Sequence, residues 1–322
     1  MNKANMKNNQ PEIAISVNNL NKSFGRKAVL QNLSFNVPNG SITGFLGPNG
    51  AGKTTTLRII LGLIPLLDGE IKLLSHSLPE ERTVAVEQTG AVVENPNFIE
   101  TLTAFDNLHW FGSLYKPLNK ERIFEAIEMV GLKDAARQKF GTFSTGMKQR
   151  LGVAFGILHD PRLLILDEPT SGMDPAGRVQ MREILKKIHK EKQTTIFLSS
   201  HLLDEVQRLC DYVVIIDQGK NIKEGYVKEI LSARLEAWEL RIPDNDKEKA
   251  VKILESYPQE QMTHEIISEG FLLKMNRNLS AQINEKLVKA GVKVSAIIPR
   301  EASLEDTFIR LTSEQTPKGE QQ

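Results

Sequence analysis

Residues 42–60 read ITGFLGPNGAGKTTTLRII. An apolar, β-prone run ends at Gly47, and a glycine-rich turn follows. Lys53 and the threonines then open a run whose apolar spacing predicts a helix to about Leu63. Residues 47–54 fit G-x-x-x-x-G-K-[ST], with a strand before and a helix after, as this phosphate-binding loop requires. Glycines at 47, 50 and 52 let successive backbone N–H groups face an anion with no Cβ in the way. Lys53 supplies charge to β- and γ-phosphates, and the Thr54 hydroxyl is placed to bind Mg²⁺. The binding loop comprises Gly47, Pro48, Asn49, Gly50, Ala51, Gly52, Lys53, Thr54 and Thr55.

Working outward, residues 13–46 alternate β-prone runs with turns (IAISV, AVLQNLSFNV, SITGFL), and residues from about 100 to 160 are helical. Two buried-strand candidates follow, LLILD at 163–167 and TTIFLSS at 194–200. Between them lies a helix with Val179, Ile184, Leu185 and Ile188 on one face. Strand–helix–strand alternation predicts an α/β fold with a parallel sheet. YVVIIDQGKNIKEGYV closes this part as a strand pair around a glycine turn. Composition shifts near 232, and the remainder reads β-α-β-β-α-β, the order of a small ferredoxin-like α+β domain. The expected division is a disordered tail over 1–12, a nucleotide domain over 13–231, an accessory domain over 232–313 and a disordered tail over 314–322.

Composition limits the partners. The 322 residues carry 41 basic and 40 acidic side chains, a net charge of +1, which gives no electrostatic basis for nucleic-acid or membrane-surface binding. Cys210 is the single cysteine, so an internal disulfide or thiolate metal site is excluded; its helical spacing with Val206 and Leu209 reads as core. The longest apolar run, IILGLIPLL at 59–67, contains a proline and falls well short of the ~20 residues of a membrane span. A cytoplasmic protein that reaches a membrane only through partners is expected.

Several other constellations carry chemistry. LLILDEPTSGMDP at 163–175 ends an apolar strand in two carboxylates, a costly placement unless cations or water use them. In a nucleotide site Asp167 would hold Mg²⁺ and Glu168 would act as general base on the attacking water; the alternative is a solvated turn. His201 follows the neighbouring strand, where it orients water and γ-phosphate or is a satisfied structural histidine. FSTGMKQR at 143–150 leads a hydroxyl and a glycine into a helix N-terminus, an arrangement suited to an anion or a simple Ser/Thr cap. It has no inward lysine and no metal ligand. As half a site, it would close over nucleotide held by the loop of a second copy.

Taken together, the chain resembles the ATP-binding subunits of ABC transporters over roughly 13–231. GPNGAGKTT matches Walker A, LLILDE Walker B, SGMD the D-loop and SSH the H-loop, and FSTGMKQ is a variant of the signature LSGGQ. The resemblance implies a P-loop ABC cassette: a RecA-like core, an antiparallel β subdomain and a helical subdomain at about 100–160. It also implies ATP and Mg²⁺ as cofactors, a homodimer sandwiching two ATP, and Ser144 and Gly146 on the partner's γ-phosphate. Phe24 falls where the family has an adenine-stacking aromatic, and a core role is the alternative.

Thr145 and Met147–Lys148 depart from the usual signature. Glu94, in GAVVENPNF, stands where the family has a Mg²⁺-binding glutamine. These features and the C-terminal extension resemble exporters of bacitracin and lantibiotics, in which the cassette energises a separate permease. That permease would dock near Glu94 through Asn107. A soluble ABC protein of translation or DNA maintenance is the alternative, but such chains carry two cassettes or an inserted coiled coil. A P-loop GTPase would need an N-K-x-D, and NKSF at 21–24 lacks the aspartate and lies upstream of the loop.

Overall fold

The structure is a computed structural model that describes residues 12–94, 97–114, 119–232, 236–276, 278–300, 304, 305 and 308. The chain divides into two compact units, Met1–Val227 and Lys228–Gln322.

The first unit opens with an antiparallel hairpin, β1 (Ile13–Phe24) and β2 (Lys27–Pro38), and continues into β3 (Ile42–Leu46). The glycine loop leads to α1 (Lys53–Ile60), which is shorter than the periodicity predicts. Leu61 caps it, and Gly62 turns the chain at φ 69°, a conformation glycine adopts without penalty. Next come β4 (Glu70–Leu73), β5 (His76–Leu78), α2 (Arg82–Glu87) and β6 (Thr89–Val92). A helical excursion comprises α3 (Ala104–Gly112), α4 (Lys120–Met129) and α5 (Thr145–Gly156). Then follow β7 (Leu163–Asp167), α6 (Pro175–Lys192), β8 (Thr195–Ser200), α7 (Leu203–Leu209), β9 (Tyr212–Asp217) and β10 (Lys220–Tyr226).

Two sheets result: an antiparallel one of order β2-β1-β4-β5 and a six-stranded one of order β10-β9-β3-β8-β7-β6. In the second, β9, β3, β8, β7 and β6 run parallel. Every residue of β3, β7 and β8 is buried, which explains why these strands are continuously apolar rather than alternating. Phe35 of β2, Phe45 of β3 and Phe197 of β8 join the sheets, their ring centroids 5.1–5.9 Å apart. On α6 the buried stripe is Met181, Leu185 and Ile188, while Val179 is 47% exposed. The helical period places Val179 about 200° from Met181, so it belongs to the opposite face.

The helical excursion has its own aromatic core, with Phe98 edge-on to Phe111, Phe140 and Phe155. Asn107 is fully buried there, accepting from Ile99 N–H at 2.8 Å and donating to the Ile99 and Thr103 carbonyls. It braces the loop before α3. α5 lies directly on β6, because a Cβ on Gly90 would sit 2.0 Å from the Gly156 carbonyl oxygen. No helix among the described residues is long and apolar enough to cross a membrane.

α8 (Val227–Ser232) straddles the division between the units. The second unit contains β11 (Glu236–Arg241), α9 (Lys247–Leu254), β12 (Met262–Ile267), β13 (Gly270–Met275), α10 (Leu279–Lys289) and β14 (Ala296–Arg300). The strands form an antiparallel sheet of order β12-β13-β11-β14. Trp238, Leu240, Phe271 and Leu273 pack against Ala250, Leu254, Ile283 and Leu287 of the helices. β14 starts at Ala296, later than the apolar run from Val292 predicts, since Val292 is buried in the preceding turn. The last expected helix, near 303–312, falls mostly outside the described residues.

On the other face of β11, Glu239 accepts from Arg241 Nε at 2.8 Å and Arg300 Nη2 at 2.8 Å. Arg241 first, and then Arg300, hold its carboxyl below the ordinary 4.5. A lowered carboxylate contributes stability above its unfolded value and loses it as pH falls through the folded one.

Two outcomes are expected for the fold. Gly90→Ala drives α5 off β6 and lowers stability by about 2–3 kcal/mol, visible as a lower urea midpoint at unchanged slope. Glu239→Gln weakens the second unit at neutral pH and flattens its loss of stability below about pH 4.5, followed by Trp238 fluorescence during urea unfolding; an unaltered acid profile would refute that assignment.

Candidate functional site

The glycine loop is pressed between two elements. A Cβ on Gly47 would lie 2.4 Å from the Ile216 carbonyl oxygen, and one on Gly52 would lie 2.5 Å from Leu30 Cδ2. Gly50 and Gly52 have φ of 85° and 105°, and a Cβ on Gly50 would meet nothing within 4 Å. The loop is therefore anchored on its inner side and open on its outer side. No described side chain caps the N-terminus of α1, so its first N–H groups are left to an anion or water.

Lys53 is only 6% exposed. Its ammonium donates to the Gly47 and Pro48 carbonyls at 2.7 and 3.2 Å, and Glu168 Oε1 lies 3.5 Å away. A buried ammonium is tolerated only with such partners. Glu168 Oε2 in turn lies 2.7 Å from His201 Nδ1. One carboxylate thus bridges the loop lysine and the histidine after β8. Glu168 sits at φ 49°, an uncommon left-handed position for glutamate. Its N–H donates to Ser199 Oγ at 2.9 Å, while the Ser199 hydroxyl donates to Asp167 Oδ1 at 2.5 Å. Ser199 fixes both acids at once. In sequence Ser199 stands out only as the first residue of the SSH match, although a serine at a buried strand end one pleat from a histidine is a usable signal.

A cavity of ≈ 460 Å³ joins these groups, lined by Gly50, Gly52, Lys53, Thr54, Thr55, Glu168 and His201 among others. Asp167, Glu168 and Glu94 meet in a second cavity of ≈ 480 Å³ that also includes Gln149 and Ser171. Glu94 is at φ 68° and its carboxylate is ion-paired with Arg58 on the last turn of α1, a partner that sequence reading missed. The Thr54 hydroxyl and the Asp167 and Glu94 carboxylates are hard oxygen donors, the set Mg²⁺ takes. The open cradle, the uncapped helix end and the buried lysine suit a triphosphate.

Phe24 ends β1 half-exposed, with Lys22 Nζ 5.5 Å above its ring, so it is not core. Ser144 is the N-cap of α5, its hydroxyl accepting from Met147 N–H at 3.3 Å. Ser144 is exposed, and a Cβ on Gly146 would meet nothing within 4 Å. Neither is among the described residues that line the lysine cavity. Thr145 instead faces the D-loop, its Cγ2 lying 3.4 Å from where a Cβ on Gly172 would be. Asp174 caps α6 by accepting from Gly177 N–H at 3.0 Å. Cys210 is buried, and desolvation raises its thiol well above the ordinary value, which leaves it a small hydrophobe.

Comparison with known proteins places the chain in a family. The family model described as ABC transporter matches residues 30–171. The bacitracin transport ATP-binding protein BcrA of Bacillus licheniformis is 38% identical over 299 residues, 92% of this chain and 96% of that protein. The uncharacterized ABC transporter ATP-binding protein YdbJ of Bacillus subtilis is 37% identical, over 96% of this chain and 99% of its own length. Among solved structures, the dimeric post-hydrolysis state of the ATP-binding cassette MJ0796, bound to ADP and Pi, aligns with TM-score 0.60 at 23% identity, covering 66% of this chain and 98% of that one. A shared fold and a likeness of more than a third of residues across nearly the full length lead to one conclusion: this chain belongs to the ABC transporter ATP-binding proteins.

Proposed function

We propose that this protein hydrolyses ATP between two copies of itself and that the motion drives a separate permease exporting peptide antibiotics of the bacitracin or lantibiotic type. The observation that carries the hydrolytic reading is the bridge Lys53–Glu168–His201 across the mouth of the glycine cradle. Incoming phosphates take Lys53 as their counter-charge and free Glu168. Glu168 then accepts a proton from water as that water attacks the γ-phosphorus in line. His201 holds Glu168 and the γ-phosphate in register. Thr54 and Asp167, with Glu94, would hold Mg²⁺, which would supply positive charge to the triphosphate. Phe24 stacks on adenine.

The signature end of α5 supports the sandwich. Ser144 is exposed, the space beside Gly146 is open, and neither is among the described residues lining the lysine cavity, which suits them to the nucleotide of a partner copy. With no membrane-crossing helix among the described residues, the permease holds the pair at the inner face of the membrane. The Glu94 substitution, the signature wording and the likeness to a bacitracin transport protein support the cargo class.

Three variants separate these roles. Lys53→Ala abolishes nucleotide binding in titration calorimetry. Glu168→Gln binds ATP, slows hydrolysis by about 10²–10⁴-fold and accumulates a dimer by light scattering, whereas Ser144→Arg stays monomeric at saturating Mg-ATP. A Glu168→Gln protein that remains monomeric with and without its permease would sink the sandwich. For cargo, cells making this chain with the permease encoded beside it grow at higher bacitracin concentrations than cells carrying Glu168→Gln, and equal sensitivity would remove that assignment.

A further inference from the structure

α1 presents one stripe that is not buried. Of its eight residues only Thr54, Thr55 and Arg58 lie on it. Thr54 and Arg58 stand at i and i+4, on one face and about 6 Å apart along the axis. Thr54 lines the lysine cavity, and Glu168 and Ser171 line both that cavity and the one holding Glu94 and Asp167. Three carboxylates therefore face one space, an arrangement that repels unless each charge is met. Lys53 and His201 meet Glu168, and the Ser199 hydroxyl meets Asp167. Glu94 is met by the guanidinium of Arg58. Its counter-charge thus comes from the helix that carries Thr54, one turn farther from the cradle.

We propose that Arg58 is a positioning residue that competes with the metal for Glu94. This rests on the nucleotide reading given above, in which Glu94 joins Thr54 and Asp167 around Mg²⁺. To join Thr54, Glu94 must leave Arg58, because the two lie one helical turn apart. Both side chains of the pair reach water, so the pair is weak enough to be exchanged. Without metal, Arg58 offsets a carboxylate charge that would otherwise repel a triphosphate. With metal, the same contact has to be given up, so Arg58 reduces what the metal adds to nucleotide affinity.

Titration calorimetry of the full chain with a non-hydrolysable ATP analogue, once in excess Mg²⁺ and once in EDTA, tests this. The ratio of the two dissociation constants is the metal's contribution to binding. Arg58→Gln raises that ratio about threefold, the worth of an exposed ion pair, and Arg58→Lys stays near the parent. Arg82→Gln removes a guanidinium that lies over Gly62, just past α1. It leaves the ratio within about 1.5-fold, which separates a contact from a general field. Glu94→Ala lowers the ratio, and on that background Arg58→Gln no longer changes it. An unchanged ratio in Arg58→Gln would overturn the proposal, as would an equal rise in Arg82→Gln or a rise that persists with Glu94→Ala. If Glu94→Ala lowers the ratio while Arg58→Gln does nothing, only this inference falls; a parent chain that binds no analogue takes the nucleotide reading with it.

Discussion

The first unit depends on a close approach of backbone to backbone around Val29. Its carbonyl oxygen would be 3.3 Å from a Cβ on Gly52 and 2.2 Å from one on Gly219. Gly219 N–H also donates to the Ala51 carbonyl, and Gln31 N–H donates to the Gly219 carbonyl. At this one point the antiparallel sheet, the phosphate loop and the β9–β10 turn meet with no space for a side chain. Glycine at both positions is what allows the contact, and each also has the positive φ its turn needs. Because the loop is clamped from behind, its open side keeps a fixed shape toward solvent.

That clamp gives the charged groups a rigid floor. Lys53, Asp167 and Glu168 approach one another at the C-terminal ends of parallel strands, where ligands of open α/β sheets bind. Each has a partner: carbonyls for Lys53, Ser199 for Asp167, and Ser199, Lys53 and His201 for Glu168. Such a network is stable only when its members are satisfied. On the proposed function, a triphosphate would bring new negative charge into it, and the Lys53–Glu168 contact is the one that charge would compete with. Glu94 faces Arg58 rather than Lys53 and so stands outside that network.

The helical excursion works differently. Phe98, Phe111, Phe140 and Phe155 form a separate aromatic centre, and buried Asn107 ties Ile99 to α3. α5 is carried on this centre and rests on β6 through Gly90 and Gly156. Its exposed N-terminus is therefore presented by a firm support, which an incoming partner nucleotide would require.

Much of this was legible in the amino-acid order because it is local. The glycine spacing at 47–54, the continuously apolar runs of β3, β7 and β8, and the paired acids at 167–168 each arise from the needs of neighbouring residues: a turn, a doubly buried strand, a charge at a strand end. What tertiary structure alone decided is long-range. The short β4, β5, α2 and β6 gave no periodic signal, and they are held by partners elsewhere in the chain. Met181 rather than Val179 faces inward because of what α6 packs on. Arg58 pairs with Glu94, and Ser199 holds both acids, because sheet order sets β8 beside β7 and β6 close to α1. Local pattern specifies which chemistry the chain carries, and contacts between residues far apart in sequence determine which groups share it, since distances across a fold are set by packing and not by spacing along the chain.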